Sequence, residues 1–308
     1  IETEGRAPIT SKTEYINATC RIANAGEYDI ESLELQIRGR GNSSWKGAKK
    51  PYKLKLGKKG KLLGMKSNRH WALINGDTWP RTMSAFVLGD LLGMEWNPSS
   101  RPVEVVLNGE YLGLYLLMET VRTAKHRVNI EEQPDLCANP DSLDGGWLVE
   151  IDNYSDAHQV IVPECPKFRM RVTWHTPEEL SPLQRKWITD EFTQMNADIY
   201  ASRKDDELLA SHIDIDAMAR FFIAQEVLDN PDGFHGSFFL YRPYDGVWTA
   251  GPLWDLTCME REKTDYTFRM KVSYGFTPHL IGELLKFGSF RDAVNVQWQA
   301  FYPDKAEE

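Results

Sequence analysis

The stretch Arg101-Pro-Val-Glu-Val-Val-Leu-Asn-Gly-Glu-Tyr-Leu-Gly-Leu-Tyr-Leu-Leu-Met-Glu119 restricts the fold more than any other part of the chain. Its two arms are rich in β-branched and aromatic residues. They are joined by Asn108-Gly109, a pair that accepts the positive φ of a tight primed turn, so the stretch predicts a β-hairpin. A hairpin is marginal without further strands, and the preceding residues supply them. Tyr15–Ile22, Leu33–Arg38 and Tyr52–Leu56 each alternate apolar and polar side chains at period two. Arg81–Leu92 changes period: Met83, Phe86, Val87 and Leu91 share one helical face, and Gly93 stands where a helix stops.

Beyond the hairpin the pattern turns helical. Trp147–Asp152, after Gly145-Gly146, reads as a strand. Ser181–Tyr200 then sets Leu183, Trp187, Phe192, Met195 and Ile199 on one helical side. Ile215–Leu228 reads as another helix with Asp214 as its cap. After the loop Asp229-Asn-Pro-Asp-Gly-Phe-His-Gly236, a second hairpin runs through Ser237–Arg242 and Val247–Asp255, turning at Pro243-Tyr-Asp-Gly246. The expected organisation is α+β: a strand-rich part over 1–120 with one main helix, and a mostly helical part over 121–308 carrying this hairpin. A length of 308 residues allows one large domain or two modest ones.

Charge and composition remove several function classes. Lys and Arg number 36 against 45 Asp and Glu, a net −9, which argues against a broad nucleic-acid surface. No run of 18 apolar residues exists to span a membrane. The chain starts at Ile1 without Met or a signal-peptide pattern, which reads as a chain whose leader has been removed. Cys20, Cys137, Cys165 and Cys258 form no C-x-x-C pair, so a zinc ribbon is unsupported. Cys137 and Cys165 flank a Pro/Asp/Gly-rich stretch; a disulfide between them in an exported protein and four separate thiols in a reducing compartment both remain open. The histidines are scattered and no G-x-S-x-G elbow is present.

Two places carry candidate chemistry. Ile37-Arg-Gly-Arg-Gly-Asn-Ser-Ser-Trp45, followed by Lys49-Lys-Pro-Tyr-Lys-Leu-Lys-Leu56, joins glycines to cationic side chains, as a small anion clamp requires; an ordinary hairpin bend needs the same residues. The lysines over 46–61 have a plain reading as the solvated face of an edge strand. The second place is an acidic pair, Asp232 in the loop before one strand and Asp255 at the end of its partner. A hairpin returns its ends to one place, so the two carboxylates can meet. Buried there, a carboxylate needs a partner or a cation. Turn chemistry explains Asp232 equally well, a cap or ion pair explains Asp255, and His235 between them has no second His at ligand spacing.

Taken in order, Arg38-Gly-x-Gly-Asn-Ser-Ser-Trp45, Lys50-Pro-Tyr-Lys-Leu-Lys-Leu56, the Arg101–Thr120 hairpin, and Asp232 ahead of Phe-Phe-Leu-Tyr-Arg242 with Pro252-Leu-Trp-Asp-Leu256 resemble the CotH family of spore-coat-type atypical protein kinases. The resemblance implies a divergent two-lobed protein-kinase-like fold that binds ATP and Mg²⁺ or Mn²⁺. By position, Asp255 and Ser237 fall at the family's metal ligands and Asp232 at its catalytic-loop aspartate. Arg40, Lys50 and Lys53 fall in the block facing the phosphates, and Glu119 where the connection between lobes begins. The implied activity is transfer of the ATP γ-phosphoryl group to Ser or Thr of an extracytoplasmic protein, by a bacterial protein secreted or held at the cell surface. Ser237 stands where members carry Asn, Thr257 where they carry a second acid, and 75–81 departs from the usual approach to the first helix. A catalytically inactive nucleotide-binding member, or a module binding surface protein or glycan on the same scaffold, is the alternative.

Overall fold

The computed structural model describes residues 1–75, 79–152, 158–161, 171–230, 233–234, 236–256 and 280–302. Asp232, His235, Thr257, Cys165 and Cys258 lie outside them. The chain packs as two units, Ile1–Ser84 with Pro98–Thr120, and Ala85–Asn97 with Val121–Glu308.

The first unit contains β1 (Glu2–Thr3), β2 (Ile16–Ile22), β3 (Ile30–Gly39), the short α1 (Ser43–Lys46), β4 (Tyr52–Gly60), β5 (Asn68–Asn75), the start of α2 (Trp79–Leu91), β6 (Ser100–Leu107) and β7 (Glu110–Glu119). Its strands form one antiparallel sheet in the order β1-β2-β3-β4-β5-β7-β6. Asn108 (φ 53°) and Gly109 (φ 87°) make the turn of the β6–β7 hairpin, as their residue types require. The sheet curls until its two edges meet. Ile1 N donates to Val106 O (2.8 Å), Asn108 N to Ile1 O (2.9 Å) and Thr3 N to Asn108 Oδ1 (2.8 Å).

Period-two alternation fills the inside of this curl. Leu35, Ile37, Tyr52, Leu54, Leu56, Trp71, Leu73, Tyr115 and Leu117 form one core, and their alternate neighbours face outward. Over Tyr52–Leu56 β4 lies between β3 and β5, so the edge-strand explanation is corrected for Lys53 and Lys55, which have a strand on either side; Lys58 and Lys59 lie beyond the last residue paired with β3.

The second unit holds most of α2 together with β8 (Trp147–Ile151), β9 (Gln159–Ile161), β10 (Arg171–Thr176), α3 (Pro182–Tyr200), α4 (Asp206–His212), α5 (Ile215–Leu228), β11 (Phe238–Arg242), β12 (Thr249–Ala250), α6 (Leu280–Leu284) and α7 (Gly288–Phe301). The β11–β12 hairpin is more than an insert among helices. It extends a five-stranded sheet in the order β12-β11-β8-β10-β9. Ser181 starts α3 with a reciprocal capping box: Gln184 N donates to Ser181 Oγ (3.1 Å) and Ser181 N to Gln184 Oε1 (2.8 Å). Asp214 caps α5 by accepting from Ala217 N (2.9 Å), and Asp229 ends it in the left-handed region. No described helix is long and apolar enough to cross a membrane.

Lys204 and Glu283 tie α6 to the end of α3. Lys204 Nζ donates to Ile199 O (2.5 Å) and to Glu283 Oε2 (2.8 Å), and Lys286 Nζ to Glu283 Oε1 (2.6 Å). Burial pushes the Glu283 carboxyl up, but the hydrogen bonds and charges of Lys204 and Lys286 outweigh it, leaving the group below its ordinary value of 4.5. A depressed folded-state value means that the stabilisation is complete above 4.5 and is lost as pH falls through that lower value. Urea unfolding should therefore show Glu283→Gln destabilised relative to the parent at about pH 7 and much less so at about pH 3. An equal penalty at both pH values would refute this assignment.

Candidate functional site

In the first unit the glycine loop serves packing first. A Cβ on Gly39 would stand 2.4 Å from the Trp45 ring, and one on Gly41 (φ 82°) 2.1 Å from Ser44 Oγ. The glycines thus let Trp45 fold back onto β3. Trp45 meets Tyr52 edge-on (6.4 Å), and Tyr52 stacks on Tyr115 (6.1 Å). Lys50 belongs to this cluster. Its Nζ donates to Trp45 O (2.6 Å) and lies 5.1 Å from the indole centroid, while its carbonyl accepts from Tyr115 Oη (3.0 Å). Burial, with neighbouring Tyr52, holds the Tyr115 phenol far above its usual range, so it remains a donor.

The other three expected nucleotide residues sort by strand register. Arg38 pairs with Lys53, Lys53 with Ala72, Ala72 with Met118 and Met118 with Ser100. These positions form one row on the outer face of the curled sheet. Arg40 extends the ladder by one residue, its N–H donating to Pro51 O (3.1 Å), which puts it on the same face as Arg38 and Lys53. Lys50 falls on the other side by the same alternation. Arg38 Nε is buried with no hydrogen-bond partner among the described residues; its guanidinium lies 5.0 Å from the Tyr15 ring centroid. Ala72, Leu116 and Met118 are buried at the apolar end of this face. The row thus passes from two cations to apolar side chains that the protein itself covers. Glu119 is 1% exposed and bound to its own chain: its Oε2 accepts from Ser99 N (2.9 Å), and its N donates to Ser99 O (3.0 Å).

In the second unit, Gln225 anchors the loop that leads to β11. Asn230 N donates to Gln225 O (3.0 Å) and Asn230 Nδ2 to Gln225 Oε1 (2.8 Å). Gly233 N donates to Asn230 O (3.2 Å), and a Cβ on Gly233 would sit 2.5 Å from Gln225 Cδ. Asn230 Oδ1 is buried with no partner among the described residues. The hairpin then behaves as its sequence implies. Leu240 pairs with Ala250, and Gly251 N donates to Phe239 O (3.0 Å), so the chain after β12 runs back toward Ser237. Asn97 steadies this return by accepting from Leu253 N (3.4 Å). Ser237 (φ 53°) is half-buried, and Asp255 (φ 50°) is exposed.

One acidic residue joins this end of the sheet without having been singled out by motif. Phe238 pairs with Ile151, the last residue of β8, and Asp152 comes directly after it, its N–H donating to Arg171 O (3.2 Å). Register therefore sets Asp152 beside Ser237. Its only sequence signal was a carboxylate closing an apolar strand. Among the described residues, no group of three His, Cys, Asp or Glu side chains is arranged to hold a metal ion.

A search of curated proteins found no match. The family model described as CotH kinase protein matches residues 37–305, a span that takes in the glycine loop, the cationic row and the hairpin ending at Asp255. The chain belongs to the CotH kinase family.

Proposed function

We propose that the protein is an atypical kinase of divergent two-lobed, kinase-like fold that transfers the ATP γ-phosphoryl group to Ser or Thr of an extracytoplasmic protein. Family membership supports a kinase; the observation that carries the nucleotide assignment is Arg38. Its buried Nε lacks a partner beside Lys53, and a buried guanidinium donor of this kind is costly unless an acceptor arrives. A phosphate oxygen is a suitable acceptor, and Lys53, paired with Arg38, adds a second cation beside it.

ATP with Mg²⁺ or Mn²⁺ supplies the transferable group and the charge neutralisation. On the protein side, Arg38, Arg40 and Lys53 bind and orient the anionic end. Asp255 holds the cation with Ser237, and Asp232 accepts the proton of the attacking hydroxyl. A Ser hydroxyl is a weaker ligand than an amide carbonyl. Ser237 therefore favours a second reading, a member that binds nucleotide without transferring phosphate. For the glycan reading, Trp71, Trp147 and Trp248 are wholly buried and Trp187 stacks on Trp147, which leaves exposed aromatics such as Trp298, stacked on Tyr302, to carry it.

The test is a thermal-shift titration with ATP and either metal. ATP should stabilise the parent, and Arg38→Gln combined with Lys53→Met should raise its apparent Kd at least about tenfold, the loss expected from removing charge-assisted hydrogen bonds of about 1.5–3 kcal/mol each. Absence of any ATP-dependent stabilisation in the parent would end the kinase reading. Stabilisation without phosphotransfer to any acceptor would select the second one.

A further inference from the structure

Charge is segregated along this chain far more sharply than a net −9 suggests. Between Leu35 and Gly76 there are twelve Lys and Arg and no Asp or Glu. The rest of the chain is left with 24 basic against 45 acidic side chains. The fold gathers the exposed part of this segment at one place, the β4–β5 connection. Lys58, Lys59, Lys61, Lys66 and Arg69 are all exposed there. Beyond Leu56, the last β4 residue paired with β3, the connection is held to its own strand by Gly60 opposite Asn68. Among the described residues, Lys58, Lys59, Lys61 and Lys66 form no ion pair, so their charge is uncompensated.

We propose that the β4–β5 tip is a docking surface for a short acidic segment of a partner protein. The surroundings of the tip favour that occupant over larger polyanions. On one side, Tyr28 lies against Gly64, with a Cβ there only 3.1 Å from the phenol, which brings exposed Glu27 and Asp29 alongside. On the other, Lys55 and Arg69 line a cleft of about 680 Å³ together with Glu2, Glu4 and Glu34. The cationic footprint is thus narrow and bordered by carboxylates. A duplex or a charged membrane, broad and rigid, would set its negative charge against those borders. A flexible run of Asp or Glu can contact the tip alone. Lysines are hydrated point charges on long stems, so the surface reads charge density rather than a fixed carboxylate geometry. Binding should weaken steeply with salt, because every participating group is solvent-exposed.

The measurement is fluorescence anisotropy of a fluorescein-labelled oligo-glutamate peptide with the full chain, without ATP. The parent should bind, and raising salt from about 50 to about 200 mM should weaken binding severalfold. The triple variant Lys58→Gln/Lys59→Gln/Lys61→Gln should bind at least about tenfold more weakly while keeping the parent circular dichroism spectrum and melting point, since all three side chains are exposed. A control in the second unit, Lys125→Gln/Arg203→Gln, should bind like the parent. Equal binding by parent and triple variant, or no binding by the parent, overturns the proposal. So does capture of phosphatidylserine vesicles or a short DNA duplex as strongly as the peptide at the same salt. Since neither ATP nor Asp255 enters, the result is independent of the kinase assignment.

Discussion

Asp255→Asn should abolish metal-dependent ATP consumption and phosphotransfer, with activity falling at least about a hundredfold, the scale of losing one electrostatic contact to a developing charge. The substitution is chosen from the backbone. Asp255 has φ 50°, in the left-handed region that Asn tolerates nearly as well as Asp and that Ala enters at a cost of about 1 kcal/mol. The side chain is exposed, and the neighbouring core residues Leu253 and Leu256 are untouched. The melting point should therefore stay with the parent while the negative charge that would hold the cation disappears. Titration of Mn²⁺ in the presence of ATP should show weaker binding as well as slower turnover. If Asp255→Asn retained activity within a few-fold of the parent, Asp255 would not be the metal ligand and the site would have to be rebuilt around other residues, Asp152 first.

Gly146→Ala should cost the second unit more stability than any single side-chain truncation on its surface, about 3–5 kcal/mol. Gly146 has φ 77°, and a Cβ there would lie 2.4 Å from Gln133 N and 2.9 Å from Gln133 Cα. Backbone is the obstacle, so no rotamer change relieves it. Gln133 in turn is the centre of a buried polar clasp. Its Nε2 donates to Ser142 O (3.1 Å), Leu143 O (3.2 Å) and Gly145 O (2.8 Å). Its Oε1 accepts from Gln184 Nε2 (2.5 Å), and Gln184 is the residue that completes the α3 capping box. Moving Gln133 therefore leaves several buried carbonyls and a helix start without partners, each worth about 1–3 kcal/mol when stranded. Urea unfolding followed by tryptophan fluorescence would report it, because Trp147 follows the glycine directly and donates Nε1 to Leu143 O (2.7 Å). A midpoint within about 1 kcal/mol of the parent would show that the strand entry is softer than its geometry implies.

What the sequence disclosed follows from which faces of each element are wet. β2, β3 and the first half of β4 each have one more buried and one more accessible side, so they alternate and can be read directly, whereas β7 is buried on both faces from Tyr115 to Glu119 and the hairpin is legible from its turn and its β-forming arms. Asn108-Gly109 marks its turn because backbone conformation alone demands those residues. α3 and α5 carry caps, Ser181 and Asp214, whose roles are local. β5 is different: Trp71, Ala72 and Leu73 are all buried, both faces are covered, and the alternation that would reveal a strand is absent. β10 shows the same loss, with Val172, Thr173 and Trp174 all buried. The candidate site was partly visible for a related reason. A motif names residues in order, but the separation of Lys50 from Arg40 and Lys53 depends on register, as do the row from Arg38 to Met118 and the placing of Asp152 beside Ser237. Register is a property of paired strands that no single segment carries.

The seam that closes the curled sheet also imposes an order of events. Ile1 N and Val106 O are 105 positions apart in the chain, and the intervening residues include 85–97, which pack with the second unit. Contacts so distant in sequence carry a large loop-closure cost before any reward is collected. During synthesis β1 must wait, unpaired along this side, until β6 and the Asn108-Gly109 turn have emerged, although β2 to β5 can already assemble. The first unit therefore matures late, and a ribosome-stalled chain ending before residue 100 should display an open-sided sheet in which residues 1–3 stay sensitive to proteolysis; extending it until Ser100–Glu119 have cleared the ribosome should protect them.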